Sequence, residues 1–305
     1  TFRRDPARKR DAGLELALDI AEGRALLHQA LAPAPPGAAD AIRAALAAED
    51  AVAALLAAPL AAAMQQADRR PFATGGDILW PVQADREAAR FASWYELFPR
   101  SATDSPARHG SFRDVIARLP AIRAMGFDVL YFPPIHPIGR RNRKGPNNSL
   151  TTGPGDPGSP YAIGNDSGGH EAIHPDLGTP EDFRALVQAA ARHGMEIALD
   201  FAIQCAPDHP WLRQHPGWFQ WRPDGSMKYA ENPPKKYQDI VNVDFYAEGA
   251  MPALWLALRD VLRHWIAQGV RIFRVDNPHT KPLPFWEWLI ADIQADDPGV
   301  LFLGE

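Results

Sequence analysis

The run Gly269-Val270-Arg271-Ile272-Phe273-Arg274-Val275-Asp276, followed by Asn277-Pro278, restricts the fold more than any other stretch. Val270, Ile272, Phe273 and Val275 are β-branched or aromatic, Gly269 bounds the run, and Pro278 ends ladder pairing, so the pattern predicts a buried strand. Arg274 and Asp276 stand two residues apart at its C-terminal end and therefore share a face. Burying either charge alone costs several kcal/mol, so the two answer each other or a ligand. Glu305 follows 29 residues after Asp276 and closes the apolar run Val300-Leu301-Phe302-Leu303-Gly304. Between them, Leu283 to Gln294 puts Trp286, Leu289, Ile290 and Ile293 on one helical face. Strand, helix, strand with short connections is a βαβ unit, which makes the strands parallel and brings both carboxylates to one rim. In a (β/α)8 barrel that rim is the active-site face. Two carboxylates there suit retaining glycosyl transfer, with a nucleophile and an acid/base about 5–5.5 Å apart.

The same alternation runs upstream. Strands are predicted at Ala92 to Pro99, Phe127 to Pro134 and Glu196 to Ala202, and helices from Ser111, from Thr179 to His193 and from Ala250 to Gln268. The fold class is therefore α/β: a partial (β/α)8 TIM barrel of about five strands over 92–305, with long rim loops at 135–176 and 204–249. Residues 1–70 carry no strand signal. They read as two helices, Ala12 to Leu31 and Ala39 to Asp68, broken at Pro33 to Gly37 and kinked at Pro59, a hairpin for packing or dimer contact. Residues 71–91, around Thr74-Gly75-Gly76-Asp77, read as a junction. In the second rim loop Trp211, Trp218, Trp221, Tyr229 and Tyr237 offer flat faces that suit sugar rings or pack the loop.

Net charge of −5 provides no basic field, so no nucleic acid partner is expected. The apolar stretch Ala51 to Ala63 is too short for a bilayer and is broken by Pro59, so no membrane partner is expected either. A single cysteine, Cys205, fits a reducing compartment, and cytoplasm is the expected location. No HExxH is present, His170 and His174 lie in a loop with no third ligand close in sequence, and no glycine-rich phosphate motif occurs. Neither metal nor cofactor is expected. Glu231-Asn232-Pro233-Pro234-Lys235-Lys236-Tyr237-Gln238-Asp239 groups donors that suit a phosphate, or simply solvated lysines. Asp200 reads as a structural acid bonded to backbone or to Arg274. Because the chain starts at Thr1 and stops on Glu305, it reads as a piece of a longer protein, inactive by itself.

Phe273-Arg274-Val275-Asp276 resembles the fourth-strand signature of the α-amylase superfamily, and Leu303-Gly304-Glu305 its fifth-strand acid/base segment. Trp94 to Arg100, Gln204 to Pro210, Glu231 to Asp239 and Asp276 to Pro282 are similar to the narrower family of maltose-1-phosphate maltosyltransferases that extend α-1,4-glucans. The N-terminal helices resemble that family's helical insertion more loosely. The resemblance implies transfer of maltosyl from α-maltose 1-phosphate to the non-reducing end of an α-1,4-glucan, with retention and phosphate release, by a homodimer. It implies Asp276 as nucleophile, Glu305 as general acid/base, Lys144, Gln204, Asp239 and Asn277 at the donor, and Asn232, Lys235 and Tyr237 near the phosphate. Arg274 keeps Asp276 charged. The superfamily's third carboxylate is expected beyond Glu305. The alternatives are an α-glucan hydrolase, a trehalose-type isomerising enzyme, and a non-catalytic glucan-binding module.

Overall fold

The computed structural model describes all residues except Thr1, Arg69, Pro71, Phe72, Asp77, Leu79, Pro81, Pro106, Pro233 and Pro234, and except the side chains of Asn232, Lys235 and Lys236. Thr1–Val82 and Gln83–Glu305 are two compact units.

The first unit is helical: α1 (Arg4–Asp11), α2 (Ala17–Leu31), α3 (Pro36–Ala47), α4 (Ala51–Leu56) and α5 (Ala58–Ala67). Leu27, Ile42, Leu55 and Leu60 are buried between them. The first expected helix stands as α2, beginning at Ala17, with α1 before it, whereas the second, Ala39 to Asp68, is corrected to the three shorter helices α3, α4 and α5. The chain leaves α3 at Ala48, in an extended conformation, and Asp50 caps α4, its carboxylate accepting the Ala53 backbone N–H at 2.9 Å. Pro59 sits in the first turn of α5, where its missing N–H is not needed, rather than kinking one continuous helix. Part of the 71–91 junction lies outside the described residues.

The second unit runs α6 (Glu87–Arg90), β1 (Trp94–Glu96), α7 (Phe112–Ala124), β2 (Val129–Phe132), α8 (Pro180–Arg192), β3 (Glu196–Phe201), β4 (Gln204–Cys205), α9 (Pro210–Gln214), β5 (Tyr229–Asn232), β6 (Lys235–Asn242), α10 (Ala253–Ala267), β7 (Ile272–Val275), α11 (Leu283–Asp296) and β8 (Leu301–Gly304). Capping boxes fix two helix starts: Ser111 with Asp114 for α7, and Thr179 with Asp182 for α8, where Pro180 also occupies the first turn. Strands β1-β2-β3-β7-β8 form one parallel sheet in that order, the first five strands of the barrel pattern. The rim loop 204–249 is not strandless as expected. It folds an antiparallel sheet of its own, ordered β4-β6-β5, whose two-residue β4 is too short to leave a periodic signal.

Because side chains alternate across a strand, the sheet has two different faces. Leu130, Phe132, Ile197, Leu199, Phe201, Phe273 and Val275 belong to the large core against the helices. Val129, Tyr131, Ala198, Ile272 and Leu301 make a separate cluster on the other face. Continuing that second set by twos reaches Asp200, Arg274, Asp276 and Glu305. Ladder register then aligns them, since Asp200 lies opposite Arg274 and Arg274 opposite Leu303 on neighbouring strands.

Candidate active site

Arg274 is the hub of the rim. Its Nη1 donates to Asp200 Oδ2 and to Asp276 Oδ1, both at 2.9 Å, and its Nη2 lies 2.8 Å from Glu305 Oε1. Burial works against the guanidinium's charge, but the Asp200 carboxylate, with Asp276 behind it, outweighs this and raises its pKa. One planar fork therefore holds both candidate catalytic carboxylates on the same wall. Asp276 is buried, and its second oxygen accepts the Asn277 side-chain amide at 3.1 Å. Glu305 Oε2 accepts the Asn277 backbone N–H at 3.3 Å.

Asn277 reaches both acids because its backbone is left-handed, at φ 45 and ψ 57. For a residue with a Cβ this conformation costs on the order of 1 kcal/mol, and asparagine tolerates it better than most. It turns the chain sharply off the end of β7.

Behind Arg274 lies Asp200, which accepts the hydroxyls of Tyr131 at 2.6 Å and Tyr161 at 2.9 Å as well as the guanidinium. Its other oxygen is buried without a partner. Burial pushes its pKa up to about 6, against the pull of the Tyr131 hydroxyl and Arg274. Both tyrosines are held protonated by burial and by the Asp200 charge. Of the two partners expected for Asp200 as a structural acid, backbone or Arg274, the side chain is tied to Arg274, and it is not in the lining of the main cavity.

Asp276 and Glu305 open on a cavity of about 750 Å³ whose lining includes Gln204, Tyr237, Asp239, Arg274 and Asn277. Asp239 is buried there with one oxygen unpartnered, and burial raises its pKa against the opposing field of Lys144. Lys144, also buried, lines an adjoining cavity of about 460 Å³ that shares Asn148, Ser159 and Tyr161 with the first. The side chains of Asn232 and Lys235 lie outside the described residues. Gln204 opens β4 of the antiparallel sheet, opposite Asn242.

Sequence reasoning missed Tyr131, Tyr161, Asn148 and Ser159. Only Tyr131 left a trace, as the one polar tip in an otherwise apolar strand. Of the two readings of the tryptophans, sugar stacking or loop packing, the second holds for Trp211 and Trp218. Trp218 is buried with its indole N–H on the Gly249 carbonyl, and Trp211 stacks on His170, so both pack the loop. Trp221 is 43% exposed but is not in the lining of the main cavity; Tyr237 is.

The histidines also differ from expectation: folding brings ligand atoms of His170, Cys205 and His209 within 4.8 Å of one another, and likewise those of His109, His174 and Asp176. Neither set fits an ion. His209 Nδ1 accepts the Trp211 backbone N–H, which leaves the proton on Nε2 to donate to His170 Nδ1 at 3.1 Å, while His170 Nε2 donates to the Ala202 carbonyl. Every ring nitrogen of that pair is committed. His109 and His174 stack parallel, 7° apart, so their in-plane lone pairs do not converge.

Residues 96–281 match the α-amylase catalytic domain, and residues 1–86 match domain N/S of α-1,4-glucan:maltose-1-phosphate maltosyltransferase. The whole chain is 60% identical to part of the enzyme of that name from Pseudomonas aeruginosa, covering 47% of its length. It is 61% identical, over 98% of the chain, to 27% of the one from Burkholderia pseudomallei. The chain thus spans about half the length, or less, of these curated relatives. Among solved structures, an α-amylase from Lactobacillus plantarum superposes on 70% of the chain and 45% of its own length, with TM-score 0.57 and 32% identity. With its parallel strands, its rim carboxylates and a family match over most of its length, the chain belongs to the α-amylase family.

Proposed function

We propose that the protein carrying this chain transfers maltosyl from α-maltose 1-phosphate to the non-reducing end of an α-1,4-glucan, with retention and release of phosphate. The observation that carries the reading is the pair Asp276 and Glu305, 29 residues apart in sequence and bonded to a single guanidinium beside one cavity. The Asp276 carboxylate attacks the anomeric carbon, the carbon–oxygen bond to phosphate breaks, and phosphate leaves with the electron pair. Glu305 then takes the proton of the acceptor hydroxyl, whose oxygen displaces Asp276. Lys144, Gln204, Asp239 and Asn277 hold the donor sugars, and Asn232, Lys235 and Tyr237 its phosphate. The buried, unpartnered oxygen of Asp239 supports a sugar hydroxyl as its missing donor.

In this reading 1–70 is a helical insertion, 71–91 a junction and 92–305 the first part of the barrel. The protein is a cytoplasmic homodimer; among the described residues no helix is long and apolar enough to cross a membrane. The test is phosphate release from α-maltose 1-phosphate by the protein expressed from its complete reading frame. Release that depends on added glucan supports transfer. Reducing sugar from starch without phosphate would make it a hydrolase, the activity named for its Lactobacillus plantarum neighbour.

A further inference from the structure

The turn that leaves β7 is held by more bonds than a connection of its length needs. Lys281, half-buried on the cavity wall, donates from Nζ to the Asp276 carbonyl at 3.1 Å and to the Asn277 carbonyl at 3.2 Å. Thr280 Oγ1 donates to the same Asn277 carbonyl at 2.8 Å. The next carbonyl, of Pro278, takes the Trp286 indole N–H at 3.0 Å. Three successive carbonyls are therefore fixed from the side by side chains. A left-handed residue persists when its surroundings over-determine it, and Asn277 is that residue.

Lys281 differs from the other two donors. It is the one of these side chains that bonds both peptide units flanking the Asn277 α-carbon, whereas Thr280 holds only the second, from its hydroxyl and from its backbone N–H at 3.1 Å. The rotation at that carbon sends the Asn277 backbone N–H to Glu305 and its side-chain amide to Asp276. An ammonium has three donors, and two are committed to these carbonyls, at the expense of the solvation that half-burial removes. Burial accordingly lowers the Lys281 pKa, against the attraction of Asp276.

Resting on the reading above for its chemistry, we propose that Lys281 is a positioning residue: by clamping the Asp276 and Asn277 carbonyls it holds Asn277 left-handed, so that one residue sets the distance and orientation of nucleophile and acid/base together. It acts through Asn277.

The test uses Lys281→Met, which keeps the stem and removes the donors, in the protein expressed from its complete reading frame. Three measurements are made: turnover of α-maltose 1-phosphate, the rate at which 2-deoxy-2-fluoro-α-maltosyl fluoride labels Asp276, and a crystal structure of the variant. A misplaced nucleophile should lower kcat and the labelling rate about 100-fold while KM for the donor stays within about threefold. The structure should show Asn277 out of the left-handed region with its bonds to Asp276 and Glu305 broken. Labelling at the wild-type rate overturns the proposal, and so does an Asn277 that keeps its conformation and both bonds, whatever the rates. Should Lys281→Met fail to fold, Lys281→Gln is read by the same criteria. If the wild type is labelled by the fluoride but ignores α-maltose 1-phosphate, the proposed donor is wrong while the Lys281 comparison still stands. If the wild type is not labelled at all, the variant structure alone decides.

Discussion

Two buried polar clusters lie in the second unit, and they are built on opposite principles. Around Arg274, three carboxylates and two tyrosines converge, one Asp200 oxygen is left without a partner, and the group opens on a cavity. Around His170, neutral rings pass a chain of hydrogen bonds from the Trp211 backbone to the Ala202 carbonyl and present nothing outward. Burial lowers the pKa of His136, His170 and His209 to about 3, so they contribute shape and directed bonds without charge. Gly164 and Gly169 press on His209 so closely that a Cβ at either would lie 2.2 or 2.3 Å from its ring. Titratable groups in a core thus say little by type alone. What separates chemistry from packing here is whether the bonds close on themselves or leave something for a ligand.

The sharpest way to break this comparison is to treat each cluster as if it were the other. Asp276→Asn should lower transfer by at least about 10⁴-fold and abolish labelling by the fluorinated donor, with the melting temperature little changed. Arg274→Lys loses the fork that holds both acids, and a fall of about 10²–10³-fold in kcat is expected from steady-state rates. His209→Phe should do the reverse: about 2–4 kcal/mol less stable in urea unfolding, from a stranded His170 and a disturbed loop, yet near-normal activity per folded molecule. If His209→Phe removed activity and spared stability, the closed cluster would have to be counted as part of the site.

The smallest effect concerns pH, where the clusters pull in opposite directions. A histidine whose folded pKa is depressed contributes stability that is full above the unfolded value and is lost as pH falls toward 3. Asp200, raised to about 6, holds a proton in the native state that the unfolded chain releases, so its term grows as pH falls from 6 to 4. Asp200→Asn removes only the second contribution. The slope of unfolding free energy against pH between 4 and 6 should then steepen by about 1.4 kcal/mol per unit, one proton's worth. An unchanged slope would mean that Asp200 titrates in its ordinary range.

Much of the site was legible because it is built on strands. A period of two and one βαβ spacing were enough to place Arg274, Asp276 and Glu305 on a common rim. The rim loops were not legible in the same way. Tyr161 and Ser159 are positioned by a loop whose shape rests on bonds from side chains to backbone carbonyls, such as Arg143 to those of Ile138, Gly139 and Asp156 and Asn165 to that of Ile138. No local periodicity records such bonds. The tryptophans left two readings open for a related reason: an indole suits a sugar and a loop core equally, and only the fold decides which face is covered. The helical unit shows the same limit, since an alanine-rich stretch hides breaks that a single capping acid can set.

The pleat that gives the sheet its two faces also limits how such a protein can change. Sliding β7 by one residue would turn Phe273 and Val275 toward the cavity side and drive Arg274 and Asp276 into the helices. Chemistry and scaffold are interleaved along the same few residues, so neither can be adjusted by register. Insertions and deletions are therefore tolerable only beyond the strand ends, and new substrate preferences have to be written in the rim segments.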